Sequence, residues 1–432
     1  MDEHVVKIVI EKAIYGGAGL ARDAGKAIFV PFTLPGETVE AEIVADKGGF
    51  ATAELQTVLE PSPARVQPPC SYFGRCGGCH YQHASYATQM EMKASILRET
   101  LERARIAEIP NISTVTGEPF GYRNRIRLHI QKNPFALCYK IRNSHANLSI
   151  ANCPIAMPLL QRATEVLNRE GQSLRLAAFV TEIELFANAD ESSLLVSLCT
   201  GHPGSDAQMY LENLWPRLRQ ILPEIVGAGI FLSERGRTAS RLLAHSGADS
   251  LQYPAGNRLY RVSLGSFFQV NRFLLDSLVE LVTAGEGGKT AWDLYAGVGL
   301  FSRPLTEAFS DVTAVESSGV AVRDLRENLR GKRSRVVAAE TSEFLRGALA
   351  HHQPVPDLVV VDPPRAGLGR EVTSALGNLA PRKITYVSCD PATLSRDLAA
   401  LLEFGYRLRK MHLLDLFPQT FHLESATHLS LD

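Results

Sequence analysis

Long apolar runs are missing from this chain. No stretch approaches the ~18 uninterrupted apolar residues of a membrane span, and Met1-Asp2-Glu3-His4 lacks the basic start of a secretory signal. The expectation is a soluble cytoplasmic protein that meets no membrane. Excess charge is missing too, since 45 Lys and Arg stand against 46 Asp and Glu for a formal net charge of −1. A general polyanion binder is usually basic, so any contact with a nucleic acid has to come from local patches. Cysteine is scarce and odd in number, seven in 432 residues, which argues against a disulfide framework and for thiol or metal chemistry in a reducing compartment. No internal repeat and no low-complexity tract is found. What the chain does have is 45% apolar residues, enough for real cores, and a length that predicts about two to four domains.

Residues 1–60 alternate apolar and polar side chains between turn signals such as Gly16-Gly17 and Pro35-Gly36. Short strands spaced in this way predict a small β-barrel of the OB type. Pro61-Ser62-Pro63 through Pro68-Pro69 reads as a linker. A region over 61–262 follows, with three close cysteines, an amphipathic helix carrying Met92, Ile96, Leu97 and Leu101, and then mixed strands and helices. From 263 to 432 strand and helix patterns alternate, which predicts an α/β domain with a doubly wound, mostly parallel sheet.

Three predicted strands of that last domain end in polar or glycine-bearing tips, the ligand edge of an open α/β sheet. The first is Asp293-Leu294-Tyr295-Ala296-Gly297-Val298-Gly299, where glycines let the backbone approach a ligand. Only two glycines of a dinucleotide fingerprint are present, so S-adenosylmethionine is a better candidate than NAD. Glu316 ends the next strand, placed to accept hydrogen bonds from ribose hydroxyls. A plain tight turn with a solvated acid is the alternative. The second tip is Asp362-Pro363-Pro364-Arg365, and the third is Ser388-Cys389-Asp390-Pro391, where Cys389 is placed like a nucleophile. Downstream, Phe417 to Ser425 supplies Glu424 in a non-helical context.

Cys70, Cys76 and Cys79 share one glycine-bearing loop, and Cys153 is the best fourth thiol. Four cysteines suit zinc or an iron–sulfur cluster; three in one loop and one distant fit a [4Fe-4S] cube better than paired zinc arms. Cys138 and Cys199 sit in apolar strand-like contexts and read as core. Arg123, Arg125 and Arg127 would share one face of a strand and could meet phosphates, with Lys132, Lys140 and Arg142 nearby; a merely solvated face is the alternative. In Phe267-Phe268-Gln269-Val270-Asn271 the aromatics are candidates for core or for stacking in the cleft, and Gln269 for lining it.

With these features in place the whole chain resembles the RNA 5-methyluridine methyltransferases, in particular their iron–sulfur branch acting on bacterial 23S ribosomal RNA. The barrel is similar to a TRAM RNA-binding domain, Ser388-Cys389-Asp390-Pro391-Ala392-Thr393 to the nucleophile motif, and His422-Leu423-Glu424-Ser425 to the motif of the general base. The resemblance implies S-adenosylmethionine contacts from Gln269, Tyr295, Glu316 and Asp362, and cluster ligation by Cys70, Cys76, Cys79 and Cys153. Tyr295-Ala296 and Glu340 depart from some members of the family. The chemistry implied is addition of the Cys389 thiolate to uracil C6, methyl transfer to C5, and removal of the C5 proton by Glu424, with His422 as the competing base. The target uridine would be flipped out or lie in a loop. RNA is the expected partner, with no protein partner required.

Three other classes fit less well. A radical enzyme needs a different cysteine spacing, an exocyclic amino methyltransferase needs an aromatic where Arg365 stands, and a non-catalytic RNA scaffold has no use for Cys389 with Glu424. The same chemistry on tRNA stays open.

Overall fold

A computed structural model describes residues 5–201, 206–232 and 241–431. The strands Val5–Ala13, Ala18–Asp23, Lys26–Pro31, Thr38–Asp46 and Phe50–Glu60 close into a barrel, with the fifth strand between the third and the fourth. Alternate positions, among them Ile8, Ile10, Ile28, Val30, Val39 and Ala51, fill its interior. Closure removes the sheet edges that would otherwise invite another strand.

A seven-stranded sheet occupies the middle of the chain. From one edge to the other its strands are Arg241–Gly247, Ile225–Leu232, Leu194–Thr200, Glu182–Ala187, Arg125–Gln131, Ala136–Lys140 and Asn147–Ser149. The helices Pro158–Glu170 and Ala207–Ile221 bury Leu159, Leu160, Leu167, Leu211, Leu214 and Leu218 in its core. Cys138 lies in the same sheet; Cys199 faces the neighbouring core, and both are buried, as expected from their apolar surroundings.

The third unit is an eight-stranded sheet in the order Ser334–Ala338, Phe309–Glu316, Gly288–Leu294, Leu358–Val361, Lys383–Ser388, Glu424–Ser430, Arg407–Leu414 and Ile112–Val115. The first five of these run parallel. Glu424–Ser430 is antiparallel to both of its neighbours. Successive residues point to opposite faces: Val359 and Val361 enter one core with the helices Tyr86–Arg103, Gly369–Leu379 and Pro391–Glu403, while Leu358 and Val360 enter another with Leu275–Thr283 and Ser302–Ala308. The doubly wound layering follows.

Ile112–Val115 pairs with Arg407–Leu414, so a strand from within the 61–262 stretch completes the last sheet. The preceding helix, Tyr86–Arg103, carries the expected Met92, Ile96, Leu97 and Leu101 on its buried face and also Lys93, whose ammonium meets Asp415 at 2.6 Å with both side chains fully buried. Among the described residues no helix is long and apolar enough to cross a membrane.

Candidate active site

The antiparallel register brings Cys389 and Glu424 together. Ser388 pairs with Ser425 across adjacent strands, so the next step outward sets Cys389 beside Glu424, although 34 residues separate them in the chain. On the other flank Val361 pairs with Tyr386, which brings Asp362 to the same edge. Asp390 begins the helix after Cys389 by accepting the amides of Ala392 at 3.0 Å and Thr393 at 2.9 Å, a carboxylate cap that anchors the turn carrying the thiol.

The edge is an acidic pit. Burial pushes Glu424 well above the usual carboxylate range, with the neighbouring Asp362 adding to it. Asp362 is raised by burial and by Asp293. Asp293, fully buried at the end of its strand, is pushed up to about 7 mainly by desolvation, against the lowering effect of the Ser302 hydroxyl it accepts. Cys389 is pushed up to about 12 by burial first and then by Glu424 and Asp362, with Arg365 pulling it back. Carboxylates and a thiol this close resist joint ionisation in a low dielectric, so the pit favours a cationic ligand.

At the glycine turn Tyr295 has φ +64°, Gly297 φ +55° and Gly299 φ +92°. The φ of Gly299 is one that other L residues adopt only under strain, and a Cβ there would also press on the Leu325 methyl at 2.7 Å. Glu316 accepts the amides of Gly297 at 2.8 Å and Ser318 at 2.7 Å, one on each oxygen, which leaves lone pairs on both for a diol. Among the described residues one buried oxygen of Asp293 has no hydrogen-bond partner. An orphan acceptor beside a glycine turn and a half-used carboxylate fits the nucleoside and cationic tail of S-adenosylmethionine. Gln269 is buried in the loop before the helix Leu275–Thr283, its carbonyl held by Asn124 at 3.0 Å.

Cys70, Cys76, Cys79 and Cys153 line one cavity of about 290 Å³ together with Tyr72, Gln82 and Tyr139. Among the described residues no three His, Cys, Asp or Glu side chains form a group ready to hold one metal ion. A single tetrahedral zinc would draw its sulfurs to roughly 4 Å from one another, whereas an iron–sulfur cube spreads its thiolates wider. An all-thiol set around a shared cavity has the donor chemistry of either group.

The loop between the two antiparallel strands is held by the residues just beyond Cys79. Gln89 and Gln419 exchange two hydrogen bonds of 3.0 Å, His80 and Tyr81 donate their amides to the Gln419 carbonyl, and the Tyr122 hydroxyl donates to Pro418. This clamp delivers His422 and Glu424 to the site. His422 makes a poor base, because burial, aided by Arg365, lowers its imidazole to about 3.

Two expectations need correcting. Arg125 and Arg127 do share a face, but acids of the adjacent strand answer it: Arg127 meets Glu184 at 3.1 Å, and Arg125 donates to the Ser266 carbonyl at 2.7 Å while covering the Phe186 ring. Arg127 stays half exposed beside its acid, whereas Arg125 is largely buried. Phe268 is buried among Phe186, Tyr253 and Tyr260, so it is core rather than a stacking platform in the cleft.

Residues 85–431 match the family model described as tRNA (Uracil-5-)-methyltransferase, and residues 4–56 match the TRAM domain. The chain belongs to the tRNA (uracil-5-)-methyltransferase family. An RNA methyltransferase of Aquifex aeolicus, described as uncharacterized, is 35% identical over 442 residues and covers 100% of both chains. A 23S rRNA (uracil(1939)-C(5))-methyltransferase of Pectobacterium atrosepticum is 32% identical and covers 95% of this chain and 90% of its own. The crystal structure of Pyrococcus abyssi tRNA (uracil-54, C5)-methyltransferase in complex with S-adenosyl-L-homocysteine has the same fold, with a TM-score of 0.77 and 24% identity over 98% of this chain and 100% of that one.

As a member of the tRNA (uracil-5-)-methyltransferase family the chain is an S-adenosylmethionine-dependent enzyme that methylates uracil C5 in RNA, and its barrel is a TRAM domain. Sequence reasoning missed three contributors to this enzyme's site. Asp293 was visible only as a strand tip, Asp390 only as the neighbour of a cysteine, and the Gln89–Gln419 clamp joins residues 330 positions apart. An Asp-Pro dipeptide after a strand is a helix-start signal and could have flagged Asp390.

Proposed function

We propose that Cys389 adds to C6 of a flipped-out uridine of 23S ribosomal RNA and that Glu424 takes the C5 proton. The observation that carries this reading is the register pairing of the two strands, which sets the thiol and the carboxyl side by side. S-adenosylmethionine, consumed as a substrate, supplies an electrophilic methyl on a positive sulfur. Gln269, Tyr295, Glu316 and Asp362 are assigned to hold it, to which Asp293 is added for its unpaired oxygen. Uracil C5 is a weak nucleophile until the C6–S bond forms and places an enolate across C5, C4 and O4. C5 then takes the methyl group, Glu424 accepts the proton left on C5, and the C6–S bond breaks to restore both the ring and Cys389. Arg365, the cation that pulls the Cys389 thiol down, favours its ionised form. The barrel over 1–60 is assigned to RNA, the 61–262 stretch to the cluster, and 263–432 to the chemistry.

The ribosomal target rests on relatives described as 23S rRNA methyltransferases at 32% identity, and tRNA is the second reading. Offering the enzyme 23S rRNA and tRNA transcripts separately, with 5-methyluridine located by mass spectrometry, should yield one modified position in the 23S rRNA. Methylation of tRNA alone would reverse the choice.

Cys70, Cys76, Cys79 and Cys153 would hold the [4Fe-4S] cluster. Protein prepared without oxygen should be brown and contain about four iron and four sulfide per chain. Stoichiometric zinc without iron would overturn this. Uracil methylation moves no electrons, and the Cys79 loop leads directly into the clamp on Gln419, so a structural role is assigned to the cluster.

The acidic pit predicts a pH dependence. Asp293 is neutral below its pKa of about 7 and anionic above it, so a ligand with a positive sulfur gains affinity as the pH rises through 7 beyond what an otherwise identical ligand with a neutral sulfur gains. Between pH 6 and 8 the preference for S-adenosylmethionine over S-adenosylhomocysteine, which differ in the sulfur charge, should grow about three- to tenfold by calorimetry. A flat ratio would mean the pit does not feel the sulfonium.

A further inference from the structure

The turn after the first barrel strand reaches across to the nucleophile. Tyr15 donates its hydroxyl to Asp390 Oδ2 at 3.1 Å, while Oδ1 of the same carboxylate caps the helix Pro391–Glu403. Asp390 is therefore gripped by its own helix on one oxygen and by the barrel on the other. The Tyr15 ring meets Phe421 edge-on at 5.3 Å, and Phe421 in turn touches His422 at 4.3 Å and His80 at 4.6 Å. Gly16 and Gly17 carry φ of +102° and +90°. A Cβ on Gly17 would press on the His80 side chain at 3.0 Å, so this glycine lets the turn sit close against the aromatic stack. Burial first and then Asp390 raise the Tyr15 phenol, with Arg365 opposing them. A side chain needed only for packing would be served by the ring alone. Here a hydroxyl from the RNA-binding barrel completes the anchor of the residue next to the nucleophile.

We propose that Tyr15 is a positioning residue for Cys389, acting through Asp390, so that the barrel contributes to the rate of addition to uracil as well as to RNA affinity. The inference rests on Cys389 being the nucleophile. Its test uses the full-length enzyme and an RNA carrying 5-fluorouridine at the target, where the missing C5 proton traps the covalent adduct.

Tyr15→Phe keeps the ring on Phe421 and loses only the hydroxyl. At saturating RNA the adduct should form about ten- to a hundredfold more slowly, the loss expected for one hydrogen bond to a charged group. The apparent RNA affinity should stay within about twofold, and the melting temperature should not move measurably. Asp390→Ser retains a helix cap but is too short to meet Tyr15. In that background Tyr15→Phe should add less than about twofold, since the partner through which it acts is already gone. An unchanged rate of adduct formation in Tyr15→Phe would overturn the proposal. So would weaker RNA binding with a normal saturated rate, which makes Tyr15 an RNA contact, or a full additional loss in the Asp390→Ser background, which removes the route through Asp390. A wild-type enzyme that traps no adduct would instead count against Cys389 itself.

Discussion

Cys389→Ala protein is expected to bind S-adenosylmethionine and RNA almost as the wild type does and to transfer no methyl group above background. The loss should be on the order of 10⁴-fold or more, as when other enzymes lose a covalent nucleophile. The reason is electronic: without a C6–S bond nothing raises the electron density at uracil C5, and placing the methyl donor nearby does not replace that. Cys389 stands at the tip of a central strand, between Asp362 on one side and Glu424 on the other, and its turn is anchored by Asp390. Deletion of one sulfur there disturbs little else. Two readouts check this, label transfer from S-adenosylmethionine and covalent trapping by 5-fluorouridine RNA, and both should vanish together. Substantial turnover by Cys389→Ala would rule out covalent catalysis at this position.

Local pattern made the third sheet readable before any coordinates. Apolar runs such as Leu358–Val361 and Ile384–Val387 end in polar tips, and in a parallel sheet those tips necessarily share one edge. The barrel was readable for the same reason, since alternation and Gly16-Gly17 are short-range signals. Pairing across distance was not. Ile112–Val115 has only four residues and nothing in its composition names Arg407–Leu414 as its partner. Lys93 lies on a helix face that periodicity marked correctly as apolar-spaced, yet a buried ammonium requires a carboxylate, and Asp415 comes from 322 residues away. The arginines of Arg125–Gln131 were legible as a shared face, whereas their acids arrive on Glu182–Ala187, fixed by a strand register no spacing rule contains. In the site itself the thiol was visible as a strand tip; Glu424 as the proposed base came from a family motif, because the antiparallel return that brings it back is a tertiary event.

That return strand makes the last prediction specific. If Glu424 acts only on the C5 proton, Glu424→Gln should still add Cys389 to uracil and still receive the methyl group, then stall. Turnover should fall about 10²- to 10⁴-fold, the usual contribution of a positioned acid–base group. A denaturation-resistant protein–RNA adduct carrying the methyl label should accumulate, seen as a labelled band of retarded mobility. Burial and Asp362 raise the carboxyl of Glu424, which makes its anion a stronger base than a solvated carboxylate. His422, two residues away, has the opposite history: desolvation and Arg365 depress its imidazole to about 3, so at neutral pH the ring is uncharged and takes up a second proton only weakly. Its ring packs between Phe417 and Phe421, which suits a wall of the cleft. His422→Ala should therefore release methylated product without trapping the adduct. A Glu424→Gln enzyme that turns over normally, with the labelled adduct appearing in His422→Ala instead, would exchange the two roles.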